Sequence, residues 1–199
     1  MLLLAACTPG HYGRLTSADK QAQPLQSIFG DNFTSFLFKT NITIYGKEVS
    51  GLLVTKQMQA HDYRVIFTTE VGMKLFDFEF KDSAFSLHYC VPQFNRPALL
   101  NTIKQDIETL LMNSVGQEPY VTLTDKAQQY TIIRTHPQTI FTYYFTENAS
   151  GNMVKIEHSK KHSKKVIYLL EDYQDHFPNS ISINHCDIKL QIELKLLKR

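Results

Sequence analysis

From Phe33 onward the chain repeats with a period of two, and that constrains it to fold as a sheet with one face inward. Phe36, Phe38, Thr40, Ile42 and Ile44 alternate with Leu37, Lys39, Asn41, Thr43 and Tyr45. Gly46-Lys47 is a turn signal, after which Val49 to Thr55 reads as a second strand and Gln57 to Asp62 as a polar connection. Tyr63 to Thr69 resumes, Val71-Gly72 turns, and Phe76, Phe78 and Phe80 alternate with Leu75, Asp77, Glu79 and Lys81. Lys81-Asp82-Ser83 turns again into Phe85, Leu87 and Tyr89. Five consecutive strands on short connections make an antiparallel meander.

The period then changes to 3.6. Leu99, Leu100, Ile103, Ile107, Leu110 and Leu111 form one stripe, opposite Lys104, Gln105, Asp106 and Glu108. Asn95 is expected to cap this helix, Pro97 sits in its first turn, and Gly116 lies beyond its end. A helix with one apolar stripe lies on a sheet. Strand patterns return at Tyr120–Thr124, Tyr130–Thr135, Ile140–Thr146, Met153–Glu157, Val166–Leu170 and Ser180–Asn184. They close with Ile188, Leu190, Ile192, Leu194 and Leu196. The expected fold is mainly β (α+β): a large curved antiparallel sheet or half-barrel of about 11–12 strands, with a covering helix at about 95–113. The 13 Phe and 10 Tyr, with no Trp, fit half-buried pleated surfaces.

The amino terminus follows other rules. Leu4-Ala5-Ala6-Cys7 looks like the end of a lipoprotein signal peptide, with small residues before a thiol that would take the lipid. Residues 1–6 are therefore expected to be a truncated signal remnant and Cys7 the lipid-attachment residue. Residues 7–24 carry Pro9, Gly10, Gly13 and Gln23 without a period and are expected to be a flexible tether. Leu25 to Phe29, stopped by Gly30, reads as a short helix end or more tether, and residues 25–199 as a single β domain. With lipid on Cys7, Cys90 and Cys186 remain, and two unpaired thiols is the expected state.

The sequence carries no GxSxG, HExxH, Walker, dinucleotide-binding or EF-hand pattern, so no catalytic residue, metal or cofactor is expected. A formal charge of +2 with no basic stripe argues against nucleic acid. Asp77 and Glu79 share a strand face and read as exposed acids. His158 and His162 are four apart, but they flank Ser159-Lys160-Lys161 in a stretch that reads as a solvated hairpin tip. That basic tip could also touch anionic lipid head groups.

The stretch Val49-Ser50-Gly51-Leu52-Leu53-Val54, followed by Tyr63-Arg64-Val65-Ile66-Phe67 and a glycine hairpin into Lys74-Leu75-Phe76-Asp77-Phe78, resembles the front half of the LolA/LolB lipoprotein-localisation family. The resemblance spans about Phe36 to Leu196 and includes the helix after the fifth strand. It implies an incomplete antiparallel barrel lidded by helices, with an apolar concave face that holds acyl chains. On that reading Phe36, Phe38, Phe76, Phe78, Phe80, Phe85, Leu87, Leu99, Ile103 and Ile107 would line the ligand. Period two alone equally allows these side chains to fill a closed core. The family's outer-membrane member presents a bulky apolar residue on the hairpin between its third and fourth strands. Val71 and Met73 occupy that hairpin here, Val71 being smaller than the leucine found there.

The expected role is thus a lipid-anchored protein of a bacterial envelope, facing the periplasm from the outer membrane. It would bind a lipid or lipoprotein acyl chain without covalent chemistry. The alternative is an envelope lipoprotein with a filled core that partners another envelope protein.

Overall fold

The structure, a computed structural model, describes residues 16–17, 25, 27–30, 33–82, 84–112, 120–135, 140–160 and 163–199. The front half contains β1 (Thr16–Ser17), β2 (Ser35–Ile44), β3 (Lys47–Gln59), β4 (Asp62–Thr68), β5 (Lys74–Lys81) and β6 (Ala84–Cys90). Helix α1 (Pro97–Leu111) follows. The second half contains β7 (Tyr120–Thr124), β8 (Tyr130–Thr135), β9 (Phe141–Glu147), β10 (Met153–Lys160), β11 (Ser163–Gln174), β12 (Phe177–His185) and β13 (Leu190–Lys198). All pair antiparallel in one sheet, in the order β1-β7-β8-β9-β10-β11-β12-β13-β2-β3-β4-β5-β6. The expectation of a large open antiparallel sheet with one covering helix is met. The short β1 adds a two-residue pairing from within the stretch read as tether.

Neighbouring long strands are neighbours in sequence except once, where β13 pairs β2 along Leu190–Ile44, Ile192–Ile42 and Leu194–Thr40. That pairing places β6 at one end of the sheet and β7, with β1, at the other, so the sheet does not close. Helix α1 joins those two outer strands and must cross the sheet to do so. It lays Leu99, Ile103, Ile107, Leu110 and Leu111 into the same apolar core as Phe36, Phe38, Val65, Phe67, Phe76, Phe78, Phe80, Ile156, Leu170, Ile181 and Ile192. Ile28 and Phe29 enter that core from a turn, not from a helix end.

Glycine is required at one strand position. At Gly51 a Cβ would lie 2.0 Å from the Thr68 carbonyl oxygen and 2.9 Å from the Phe67 ring, because the end of β4 closes onto β3 there. The Ser-Gly opening of that strand is thus a packing requirement.

Several expectations need correction. Arg96, not Asn95, precedes the first turn of α1, without a side-chain cap, and Met112 ends the helix in a left-handed conformation. Residues 57–59 continue β3 where a polar connection was expected. A register shift in the β5–β6 pair sets Tyr89 opposite Asp77 and Cys90 opposite Phe76, which puts Tyr89 on the outer face. Strands β8 and β9 are apolar on both faces. Ile133 and Tyr144 join the main core, while Ile132 and Tyr143 build a second cluster with Leu123 on the other side.

Candidate functional site

The sheet face under α1 gathers nine of the ten residues expected to line a ligand. Phe36 and Phe38 come from β2, and Phe76, Phe78 and Phe80 from β5. Phe85 comes from β6, and Leu99, Ile103 and Ile107 from the helix. Phe76 stacks on Phe78 with ring centroids 4.4 Å apart, and Phe85 meets Phe78 edge-on at 5.3 Å. Leu87 pairs with Phe78 across the ladder, but at the sheet edge it is 40% exposed. Val71 and Met73 stand out on the β4–β5 turn, Val71 at 92% exposure. Cys7 and His162 lie outside the described residues.

Beneath the middle of α1 the apolar face is interrupted by a polar cluster. Asp106, expected on the solvent side, is 1% exposed and points at the sheet. Its carboxylate accepts from Tyr168 Oη at 2.8 Å and from His185 Nε2 at 2.9 Å. One turn on, Thr109 donates to the Gln105 carbonyl at 2.9 Å, so its oxygen is left to accept from His158 Nε2 at 3.0 Å. The other ring nitrogen, Nδ1, then accepts from the Thr142 hydroxyl at 3.2 Å, which assigns a neutral imidazole protonated at Nε2.

The electrostatics follow from burial. His158, far from a solvated tip, is pushed down to about 4 by desolvation, aided by the neighbouring His185. The Tyr168 hydroxyl is held well above its ordinary value by burial and then by the Asp106 charge. Every polar group named in this cluster finds a partner inside it. The arrangement therefore fixes α1 against β10, β11 and β12 and presents no solvent-facing nucleophile. A cavity of about 410 Å³ opens elsewhere, lined by Gln174, Asp175, Asn179 and the end of β13.

Sequence reasoning missed this cluster, although it left a trace. Asp106 is three residues after Ile103 and four before Leu110, on the stripe itself, where a carboxylate asks for a buried partner. Asp77 was missed similarly. It is buried on the outer face, with Oδ1 2.5 Å from Arg64 Nε and Oδ2 2.6 Å from Lys74 Nζ. Burial raises its pKa, but hydrogen bonds from Arg64 and Lys74 outweigh that and leave it below the usual range. Glu79 beside it bonds Arg64 at 2.9 Å and His88 at 2.6 Å. Cys90 is a free thiol raised by burial, whereas Cys186 takes part in a disulfide, so the two are not joined and Cys186 is not the unpaired thiol expected.

Among the described residues no group of three or more metal-ligating side chains converges, and no helix is long and apolar enough to cross a membrane.

No protein-family model matches the chain. No curated protein matches it either. Among solved structures it is similar to an outer membrane lipoprotein-sorting protein domain from Vibrio parahaemolyticus. That match has a TM-score of 0.52 and 9% identity, over 83% of this chain and 84% of that one. A DUF1329 family protein from Desulfovibrio piger aligns at a TM-score of 0.44 and 9% identity, over 84% and 85%. At this identity the likeness is one of fold. The chain shares the fold of that domain, the kind of fold its resemblance to the LolA/LolB family implied.

Proposed function

We propose that this protein handles acyl chains in a bacterial envelope, with the apolar sheet face under α1 as the chain's seat and the helix as its cover. One observation carries the reading: an open sheet whose inward apolar face is covered by α1, which runs between the two outer strands. A helix connected in that way can shift without unpairing a strand. The ligand would be held by alkyl burial, at about 0.8 kcal/mol per CH₂, with Phe36, Phe38, Phe76, Phe78, Phe80, Phe85, Leu87, Leu99, Ile103 and Ile107 against it. Residues 25–199 would act as one domain, tethered by lipid on Cys7 to the outer membrane and facing the periplasm, with the Val71–Met73 hairpin towards the bilayer.

A second reading, a filled core in an assembly subunit, is favoured by the polar cluster that pins Asp106 to Tyr168 and His185. Native mass spectrometry of the full chain, purified without detergent, separates the two. Co-purified lipid that is lost in a folded Ile103→Asp variant supports the carrier. Protein that is repeatedly lipid-free and takes up no added phospholipid sinks it. For the anchor, labelled palmitate should enter the full-length wild type and not Cys7→Ala. A thiol holds one such bond, so finding Cys7 as the disulfide partner of Cys186 would overturn lipidation.

A further inference from the structure

The two ends of the sheet are chemically unlike. At one end lie the β3–β4, β5–β6, β7–β8, β9–β10 and β11–β12 turns. These turns or their flanks carry Asp62, Asp82, Asp125, Glu147 and Asp175, with His61, Asp82, Gln128, Asp175 and His176 taking the left-handed positions. Such residues are the ordinary polar occupants of solvated tips.

At the opposite end lie the β2–β3 and β4–β5 turns, the β12–β13 connection, the strand ends of β8, β9, β10 and β11, and the start of β7. Most of the exposed large apolar side chains emerge there, with Met58 and Leu197 at the polar end. Tyr45 is 69% exposed, Val71 92%, Met73 59%, Tyr120 49%, Val121 42% and Ile140 40%.

Tyr45 adds a second observation. It sits at φ 49°, followed by Gly46 at φ 79°, in a two-residue hairpin position where Asn or Gly is the unstrained choice. A bulky ring is thus held in the left-handed region and out in solvent. Charge is biased at the same end. Glu70 pairs with Lys39 at 3.3 Å and Asp187 with Lys165 at 2.6 Å, while Asp77 and Glu157 are paired inside the sheet. Among the described residues Lys47, Lys160 and Lys189 also stand exposed there, with Glu48 as the one exposed carboxylate not already paired.

We propose that this rim of hairpin tips, with Tyr45, Val71, Met73, Tyr120, Val121 and Ile140 as its apolar contacts, seats the protein on the headgroup region of an anionic lipid bilayer. Each hairpin occupies two strands, so neighbouring tips are about 10 Å apart along the rim. That spacing makes several shallow insertions rather than one deep one. Tyrosine at the interface and lysine over anionic headgroups are the side chains such a contact uses. The rim extends the single-hairpin contact of the acyl-handling reading. It places the end of β6, from which the chain enters α1, and the start of β7 at Tyr120 on the membrane side.

The test is vesicle co-sedimentation of the full chain carrying Cys7→Ala, so that no attached lipid contributes. The protein should bind mixed phosphatidylcholine–phosphatidylglycerol vesicles, and bind pure phosphatidylcholine more weakly. Val71→Asp and Ile140→Asp should each weaken binding about tenfold, and Lys160→Glu about fivefold. Met58→Asp is the control, since Met58 is 55% exposed at the opposite end. It should leave binding unchanged. Binding that is absent, indifferent to phosphatidylglycerol, or equally weakened by Met58→Asp would overturn the rim. Lipid co-purifying with the core is read separately by mass spectrometry. A protein that carries lipid yet ignores vesicles sinks the rim alone, and one that binds vesicles but carries nothing sinks only the acyl seat.

Discussion

Replacing Asp106 with Ala tests how firmly α1 is seated. The carboxylate is 1% exposed and accepts from Tyr168 at 2.8 Å and His185 at 2.9 Å, and the His185 side chain is itself only 6% exposed. Removing it leaves a phenol and an imidazole buried without their acceptor. Breaking a buried pair from one side costs about 3–5 kcal/mol. In a chain of this length each kcal/mol moves Tm by roughly 2–4 °C, so Asp106→Ala should melt roughly 6–20 °C lower. Urea unfolding followed by circular dichroism should show a lower midpoint with an unchanged slope. Asp106→Ala combined with His185→Ala should cost less than the two single changes together, because the partners share one loss. Filling the site with Asp106→Leu, His185→Leu and Tyr168→Phe should restore much of the stability. A cost for Asp106→Ala below about 1 kcal/mol, the worth of an exposed ion pair, would refute the argument that this cluster pins the helix.

Three further outcomes follow from other positions. His158 has a folded pKa of about 4 against the ordinary 6.5, so the unfolded chain binds the extra proton between those values. Its contribution is complete above about pH 6.5 and is lost as pH falls towards about 4, by roughly 3 kcal/mol. Thermal melts across that window should flatten in His158→Gln. Gly51→Ala should destabilise by about 1–3 kcal/mol or more in urea unfolding, since the new methyl meets the Thr68 carbonyl oxygen at 2.0 Å. Arg64→Met removes the cation 2.5 Å from Asp77 and 2.9 Å from Glu79. The Asp77 carboxyl should then titrate higher by NMR; an unmoved titration would assign its low value to Lys74 alone.

The strands were legible because period two is a local property. Tyr120–Thr124 and Tyr130–Thr135 are found where the alternation puts them, and most other strands extend past their apolar core by a few residues. The union of β2 with β13 was not legible, since nothing local to Ile44 or Leu190 names the other. The bulge at β5–β6 was equally hidden, and it moved Tyr89 across the sheet. Buried polar residues were misread for one reason. Asp77, Asp106 and His158 look solvated when read alone, yet the two aspartates are buried, His158 is half-buried, and each has partners from distant or cross-strand positions, such as Tyr168 at 62 residues from Asp106. Period identifies a face, whereas partnership depends on how faces meet.

The same seating decides what kind of chain could enter beneath α1. Lifting the helix gives up the Asp106 contacts, about 3–5 kcal/mol, and uncovers five inward side chains, Leu99, Ile103, Ile107, Leu110 and Leu111, at about 1.5–3 kcal/mol each. A single alkyl chain of about 14 methylenes recovers roughly 11 kcal/mol at best, which offsets only the low end of that loss. Two chains on one headgroup recover about twice as much and exceed it. If the sheet face under α1 is an acyl seat, it should therefore discriminate by chain number: weak or no uptake of a fatty acid, firm uptake of a diacyl lipid. Asp106→Asn, which loosens the latch while keeping an acceptor for Tyr168, should narrow the difference. Isothermal titration of wild type and variant with fatty acid and with short-chain diacyl phospholipid measures it. Equal affinity for both lipids in the wild type would mean that the helix does not have to lift, and the seat would then lie elsewhere.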